Sequence, residues 1–432
     1  MSAAEVEAPS RAEVRLDRRL AWCGLAVSGA ALVVLAVLLV PWDWLPGATL
    51  RPPTADEVFT AAQLRRADAY VWPVRLLSWS SLALSLAAAL VLGLTPWGSR
   101  AARRLARGRR WWVVTLAGTL VFCLAVRLVT LPFALLVRQR NLEAGLTTQG
   151  LPAWAWDRTL SFALTFLVSA VLALLVVGVA RRQPRRWFVT VGTTMVLLTF
   201  VVSFVYPVVV EPLFNKFTSL PEGALRSSIL RLADREGVPV DDVLVADASR
   251  RTTTLNAYVS GFGGTRRVVL YDNLLRDLPP DQIRSVVAHE LGHARHHDVL
   301  LGTALGSLGA LAGTCLLALV LDAPLVRRRA GVSGAADPAV AALVLAAVAW
   351  GSFLSSPAQN TVSRAIEARA DRAALQATDD PGSFDQLQRQ LALHSLADPS
   401  PPGLTQFWFG SHPTVLQRIG IAEAVTGEPY RP

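Results

Sequence analysis

The chain has 432 residues, 52% of them hydrophobic and only 17% charged, and its mean hydropathy is +0.40. That balance excludes the two or three soluble domains that such a length usually holds, and it marks a membrane protein. The net charge of +10 is almost all arginine, Lys216 being the only lysine. The arginines gather at the ends of apolar runs and not on a soluble stripe, so they read as headgroup and topology anchors, and no nucleic-acid partner is expected.

In chain order, residues 1–19 read as a polar, disordered tail. The first apolar run, 20–40, is long enough to span a bilayer and lacks a small-residue cleavage site, so it reads as an anchor and not a removed signal peptide. A mixed polar loop rich in Trp and Pro follows at 41–73, then a second span at 76–94 and a basic juxtamembrane segment. The third span, 111–137, contains Arg127, which either snorkels to the interface or lines a cavity. Spans four and five are read at 159–180 and 187–210, joined by a tight basic turn at 181–186. These five spans make a membrane region over 20–210. Residues 211–298 change character: charges are frequent and balanced, a helix is expected at 222–236, and strands at 243–246 and 267–271 flank a glycine-rich turn. A membrane hairpin at 299–357 brings spans six and seven, 299–321 and 339–356. The last part, 358–432, is polar and helical, then loop-like near Pro399. Cys23, Cys123 and Cys315 all lie in apolar runs, with neither metal spacing nor a disulfide framework.

Only six histidines occur, and four of them fall between His289 and His297. The run His289-Glu290-Leu291-Gly292-His293 follows a helix start at Pro279-Pro280-Asp281, with Ile283, Val286, Val287 and Leu291 at helical spacing. An H-E-x-x-H run on a helix places both imidazoles on one face, where they can hold one zinc ion per chain. Glu290 can then reach a water whose pKa zinc lowers to near 7, and remove its proton. Two solvated histidines on a helix surface would look the same locally. His296 and His297 point elsewhere round the helix, so at most one could assist.

A catalytic zinc wants a third protein ligand and an open position. After His293 the chain crosses the membrane twice and returns to the same face, where it reads Glu367-Ala368-Arg369-Ala370-Asp371. Glu367 and Asp371 share a helical face. Glu367 is the candidate third ligand, and Asp371 the outer acceptor for a ligand histidine N–H. An acidic pair on a polar helix is ordinarily a solvated face; its place after the hairpin is what singles it out.

Taken together, these residues resemble the integral-membrane zinc metalloproteases that include the type I CAAX prenyl endopeptidases and the HtpX heat-shock proteases. The resemblance is stronger to the prenyl endopeptidase branch. Besides the two motifs above, it rests on Pro212-Leu213-Phe214-Asn215-Lys216-Phe217, Asn256-Ala257-Tyr258-Val259-Ser260-Gly261-Phe262, Val268-Val269-Leu270-Tyr271-Asp272, and His412-Pro413 followed by Arg418. It implies a mainly α fold: seven transmembrane helices with a gluzincin-type zinc metalloprotease insert containing a small β-sheet. It implies that His289, His293 and Glu367 bind zinc, that Glu290 is the general base, and that Asp371 supports the site. His412 and Arg418 would stabilise the oxyanion or orient the group that does. Asn256 and Tyr258 would lie on an extended edge that meets the substrate backbone. The implied partners are the lipid bilayer and a peptide or protein whose C-terminal region is hydrophobic or lipidated, though not necessarily prenylated.

Two matters stay open at this point. Seventeen arginines lie in the tail and the loops of one side and six on the other, which puts the zinc domain outside the cell membrane, whereas the resemblance implies a cytosolic-facing site. A transporter or scaffold would also use many spans but has no need for Glu290; an inactive substrate-binding relative would hold about one zinc per chain and turn over no peptide.

Overall fold

The computed structural model describes residues 16–261 and 263–430. Most of the predicted tail, 1–15, and Phe262 lie outside these. Asp17 already caps the first helix, its carboxylate accepting from the Leu20 N–H. That helix, α1, spans Arg18–Leu39. A short α2, Ala55–Val58, is followed by α3, Ala61–Leu94, and α4, Pro96–Ala106. Then come α5, Trp111–Glu143, α6, Leu151–Arg182, and α7, Trp187–Val209. Among the described residues, α1, α3, α5, α6 and two later helices are long and apolar enough to cross a membrane, and α7 adds a shorter apolar stretch, Trp187–Ser203.

The insert begins with β1, Phe217–Ser219, and α8, Ala224–Arg235, then β2, Asp242–Ala246, β3, Ala257–Ser260, and β4, Arg267–Tyr271. The sheet order is β1-β2-β4-β3, antiparallel except for the β2–β4 pair. Its centre is β4, whose Val268, Val269 and Leu270 are all buried, as a strand covered on both faces should be. A short α9, Asp272–Asp277, leads to α10, Pro280–Arg295, which starts on proline at its first turn as predicted. Ile283, Val287, Ala288 and Leu291 of α10 pack into one core with Leu232 of α8, Val243, Leu270, Ala368, and Phe384 of a later helix.

The membrane hairpin is α11, Asp298–Asp322, a short α12, Pro324–Ala330, and α13, Ala341–Thr378. The chain closes with α14, Pro381–Ser395, α15, Gly403–Phe409, and α16, Val415–Thr426.

Two expected boundaries are corrected. The second half of the polar loop at 41–73, from Ala55 on, is mostly helix. Thr60 and Gln63 form a capping box, so α3 starts there and reaches the membrane from well outside it. The helix that carries the seventh span does not stop near 356: α13 continues to Thr378 as one helix, with Pro357 inside it. Alanines and arginines at 364–377 are strong helix formers and keep the ladder going once the chain leaves lipid. The acidic pair thus lies on the membrane helix itself and not on a separate segment.

Contacts divide the molecule into two ends. At one, the arginine-rich stretches meet: Arg186 pairs with Asp17, Arg18 with Asp322, and Arg103 with Asp337. At the other, the 41–73 and 138–158 segments meet the insert and the C-terminal part, through Arg251–Asp157, Arg75–Asp398 and the Thr147 hydroxyl on the Arg251 carbonyl. The insert therefore sits at the arginine-poor end.

One glycine permits a close approach between insert and membrane scaffold. A Cβ at Gly292 of α10 would meet the Ala373 Cβ at 3.0 Å and the Ala370 Cα at 3.5 Å on α13. Small residues on both helices let the backbones nearly touch. Replacing Gly292 by Val should push α10 off α13, lowering stability by roughly 1–3 kcal/mol and weakening metal binding; thermal unfolding and metal titration of the purified variant measure both.

Candidate metal centre

The close approach brings two imidazoles and a carboxylate to one point. His289 and His293 sit one turn apart on α10 with their Nε2 atoms 3.1 Å from each other. Glu367 of α13 places Oε2 at 3.2 Å from His289 Nε2 and Oε1 at 3.6 Å from His293 Nε2. Among the described residues, this is the one group of three whose donor atoms lie within 4.8 Å of one another. Two imidazole nitrogens and one carboxylate, with no thiolate near, are the donors of a three-ligand zinc site that keeps a fourth position open. The residues fit the ion the sequence implies.

Each imidazole turns its other nitrogen to a buried carboxylate. His289 Nδ1 lies 2.9 Å from Asp371 Oδ1, and His293 Nδ1 lies 2.9 Å from Asp298 Oδ2. Asp371 has no exposed surface and is gripped by two donors of Arg418, Nε at 2.8 Å and Nη2. Asp298 is held by one donor of the Arg369 guanidinium, Nη2. Arg418 thus lies behind a ligand histidine through Asp371. His412, from the loop after α15, brings Nε2 to 3.4 Å from Glu367 Oε2, with its side chain 57% exposed. His296 and His297 are exposed and lie outside the cluster.

The charges follow from this packing. Burial alone would raise the Glu367 carboxyl, but the imidazoles of His289, His412 and His293 outweigh it and hold it down at about 2. Burial also opposes charge on His289, yet the Asp371 and Glu367 carboxylates reverse this and raise the metal-free imidazole to about 10. Asp371 is held below its usual range because Arg418 overcomes its burial. Glu290 goes the other way: burial pushes its carboxyl up, although both imidazoles pull against the shift.

Asn256 and Tyr258 lie where an edge was expected. Asn256 is exposed and immediately precedes β3, the outer strand, and β3 runs beside α10. The Asn256 carbonyl accepts from the Tyr271 N–H at 3.0 Å. The Tyr258 hydroxyl donates to Glu211 Oε2 at 2.9 Å, which ties the edge strand to the end of α7. Arg127 donates to the Arg158 carbonyl and lies over the Phe162 ring, so it faces α6. The sequence reading missed Asp298 and Arg369. The one signal available was an aspartate five residues past His293, beyond the end of α10.

A cluster of this composition, at the junction of long apolar helices and a small α/β insert, is that of a multi-pass membrane protein with a candidate metal centre. Comparison with known proteins gives the family. Residues 219–426 match the model of Peptidase family M48, and residues 48–216 match that of CAAX prenyl protease N-terminal, five membrane helices. The uncharacterized metalloprotease YhfN of Bacillus subtilis is 32% identical over 317 residues, 73% of this chain and 74% of that one. CAAX prenyl protease 1 of Saccharomyces cerevisiae is 32% identical over 148 residues, 34% of this chain and 33% of the other. The crystal structure of S. mikatae Ste24p superposes with a TM-score of 0.76 over 93% of this chain and 99% of that chain, at 21% identity. The chain belongs to peptidase family M48.

The raised His289 gives a pH dependence with a definite sign. Without metal, the folded chain holds a proton between the unfolded value of 6.5 and about 10, so that contribution to stability is full below 6.5 and lost as pH rises through 10. Metal-free protein should lose on the order of a few kcal/mol over that window. Zinc-loaded protein should not, because the ion replaces the proton; melting curves at stepped pH with and without zinc measure the difference.

Proposed function

We propose that this protein is a zinc-dependent endopeptidase that hydrolyses peptide bonds at the membrane. The observation that carries the reading is the convergence of His289, His293 and Glu367 with Glu290 on the same helix. Zinc, when bound there, would lower the pKa of water and polarise the peptide carbonyl. Glu290 would accept the proton of the attacking water and pass it to the leaving amine; a carboxyl raised by burial is a stronger base for that work. His412 would offer an N–H to the negative charge that develops on the carbonyl oxygen, a donor worth roughly 3 kcal/mol in the transition state. Arg418 would act through Asp371, keeping His289 oriented. Asn256 and the free side of β3 would pair with the extended substrate backbone, aligning it along α10.

The reading of the substrate is a peptide or protein with a hydrophobic or lipidated C-terminal region. A cavity of about 590 Å³ between α3, α13 and α15, lined by Trp79, Leu86, Trp350, Phe353, Leu404 and Trp408, supports it. Gly410, Ser411 and His412 follow directly on α15, so the chain that walls that cavity runs on within three residues to His412 beside Glu367. A transporter or scaffold has no use for Glu290 beside a ligand pair.

Glu290→Gln should keep one zinc per chain and lose roughly 10²–10⁴-fold or more in turnover of a peptide library by purified protein in detergent. Chelator should abolish turnover by the parent, and added zinc should restore it. Equal cleavage by parent and Glu290→Gln would remove the proposed base.

The arginine asymmetry supports an outward-facing insert. A cysteine placed at Glu222, an exposed residue at the start of α8, should then react with a membrane-impermeant maleimide in intact cells. Labelling only after lysis would place the metal centre in the cytosol.

A further inference from the structure

The two ligand histidines are supported by two separate relays of the same chemistry. One runs His289–Asp371–Arg418 and draws its carboxylate from α13 and its guanidinium from α16. The other runs His293–Asp298–Arg369 and draws its carboxylate from the first residue of the membrane helix α11. Asp298 does not belong to the helix that carries the histidines. Between them α10 ends, and His297 takes a left-handed turn at φ 55°, which swings Asp298 back beneath His293. The Asp298 carboxylate is 7% exposed, and the first turn of α11 favours its negative charge. Arg369 sits on α13 midway between Glu367 and Asp371, so one helix supplies a ligand, one outer carboxylate and the clamp on the other.

We propose that Asp298, clamped by Arg369, is the positioning residue of His293. This inference rests on the metal-site reading above. Accepting a hydrogen bond from Nδ1–H, Asp298 fixes the tautomer that leaves the Nε2 lone pair free to ligate, and it fixes the plane of the ring. It also makes α11 part of the metal centre. A tilt of α11 against α13 moves Asp298 relative to Arg369, and the His293 ring with it. Among the described residues His289 has no such link to α11: beyond His293, its partners come from α13 and α16.

The test uses the full chain purified in detergent as Asp298→Asn, Asp298→Glu and Arg369→Gln. Zinc affinity is read by chelator competition, the ligand field by the visible spectrum of the cobalt-substituted protein, and folding by the melting of the metal-free chain. Asp298→Asn should weaken zinc binding about 10–100-fold and shift the cobalt bands; because it also leaves Arg369 unpaired, the metal-free chain should melt below the parent, but by less than the zinc-loaded chain does. Arg369→Gln should give a smaller loss in the same direction, and Asp298→Glu should recover part of it. Unchanged affinity and an unchanged cobalt spectrum in Asp298→Asn would overturn the proposal. A metal-free chain destabilised as much as the loaded one would overturn it too, since the carboxylate would then be merely structural. Should the parent itself bind neither ion, the metal centre falls and this inference with it; a parent that binds zinc beside an Asp298→Asn that binds equally sinks the inference alone.

Discussion

The contact of α10 with α13 at Gly292 is the constraint on which the rest of this structure depends. Two imidazoles on one helix make only half of a metal site; the other half comes from a residue 74 positions past His293, across a membrane hairpin. Side chains as short as Glu and His can meet only if the two backbones come almost into contact, and that requires no Cβ on one side and only methyl groups on the other. The insert core serves the same end. Leu291 and Ile283 bury one face of α10 against the sheet and α14, which leaves the histidine face turned to α13.

The charges around the centre obey a simple balance. Asp371 is matched by Arg418, and Asp298 by Arg369, so both buried carboxylates are neutralised locally. Buried ion pairs of this kind gain little net stability, because desolvation offsets most of the attraction, but removing one partner is costly. Their value is position: a carboxylate held by a guanidinium, through two donors at Asp371 and one at Asp298, offers its imidazole one direction. Glu367 and Glu290 have no such cation. A divalent ion would neutralise the charge of Glu367; in its absence the pull of the Asp371 and Glu367 carboxylates appears as the proton drawn to His289.

Much of this was legible in the sequence, and what was hidden has a physical reason. Long apolar runs announced the spans, since lipid tolerates little else, and helical spacing with a proline start announced α10. Glu367 was reachable from topology alone, because an even number of crossings returns the chain to its starting face. Asp298 was not, because its place depends on a single left-handed residue, His297, that turns one helix into the next, and histidine carries no strong signal for that conformation. The full lengths of α3 and α13 were missed for a related reason. Hydropathy ends where lipid ends, whereas a helix ends where its hydrogen-bond ladder meets a cap, and for α3 that cap is Thr60 with Gln63. Arg418 could be singled out as a candidate by its motif, but its partner Asp371 appears only when α16 is packed against α13.

The continuity of α13 changes how chemistry and membrane relate in this chain. Had the acidic pair stood on a separate soluble segment, the insert could have moved as a body against the spans with its metal ligands intact. Instead Glu367 lies on a helix whose apolar half is packed between α3 and α5. The proline at 357 removes one hydrogen bond between the two halves but does not break the helix. Relative motion of spans and insert must therefore shear His289 and His293 against Glu367. A metal bound by all three would oppose that shear, so the ion that supplies the chemistry would also bolt the soluble insert to the membrane scaffold, and losing it should loosen both at once.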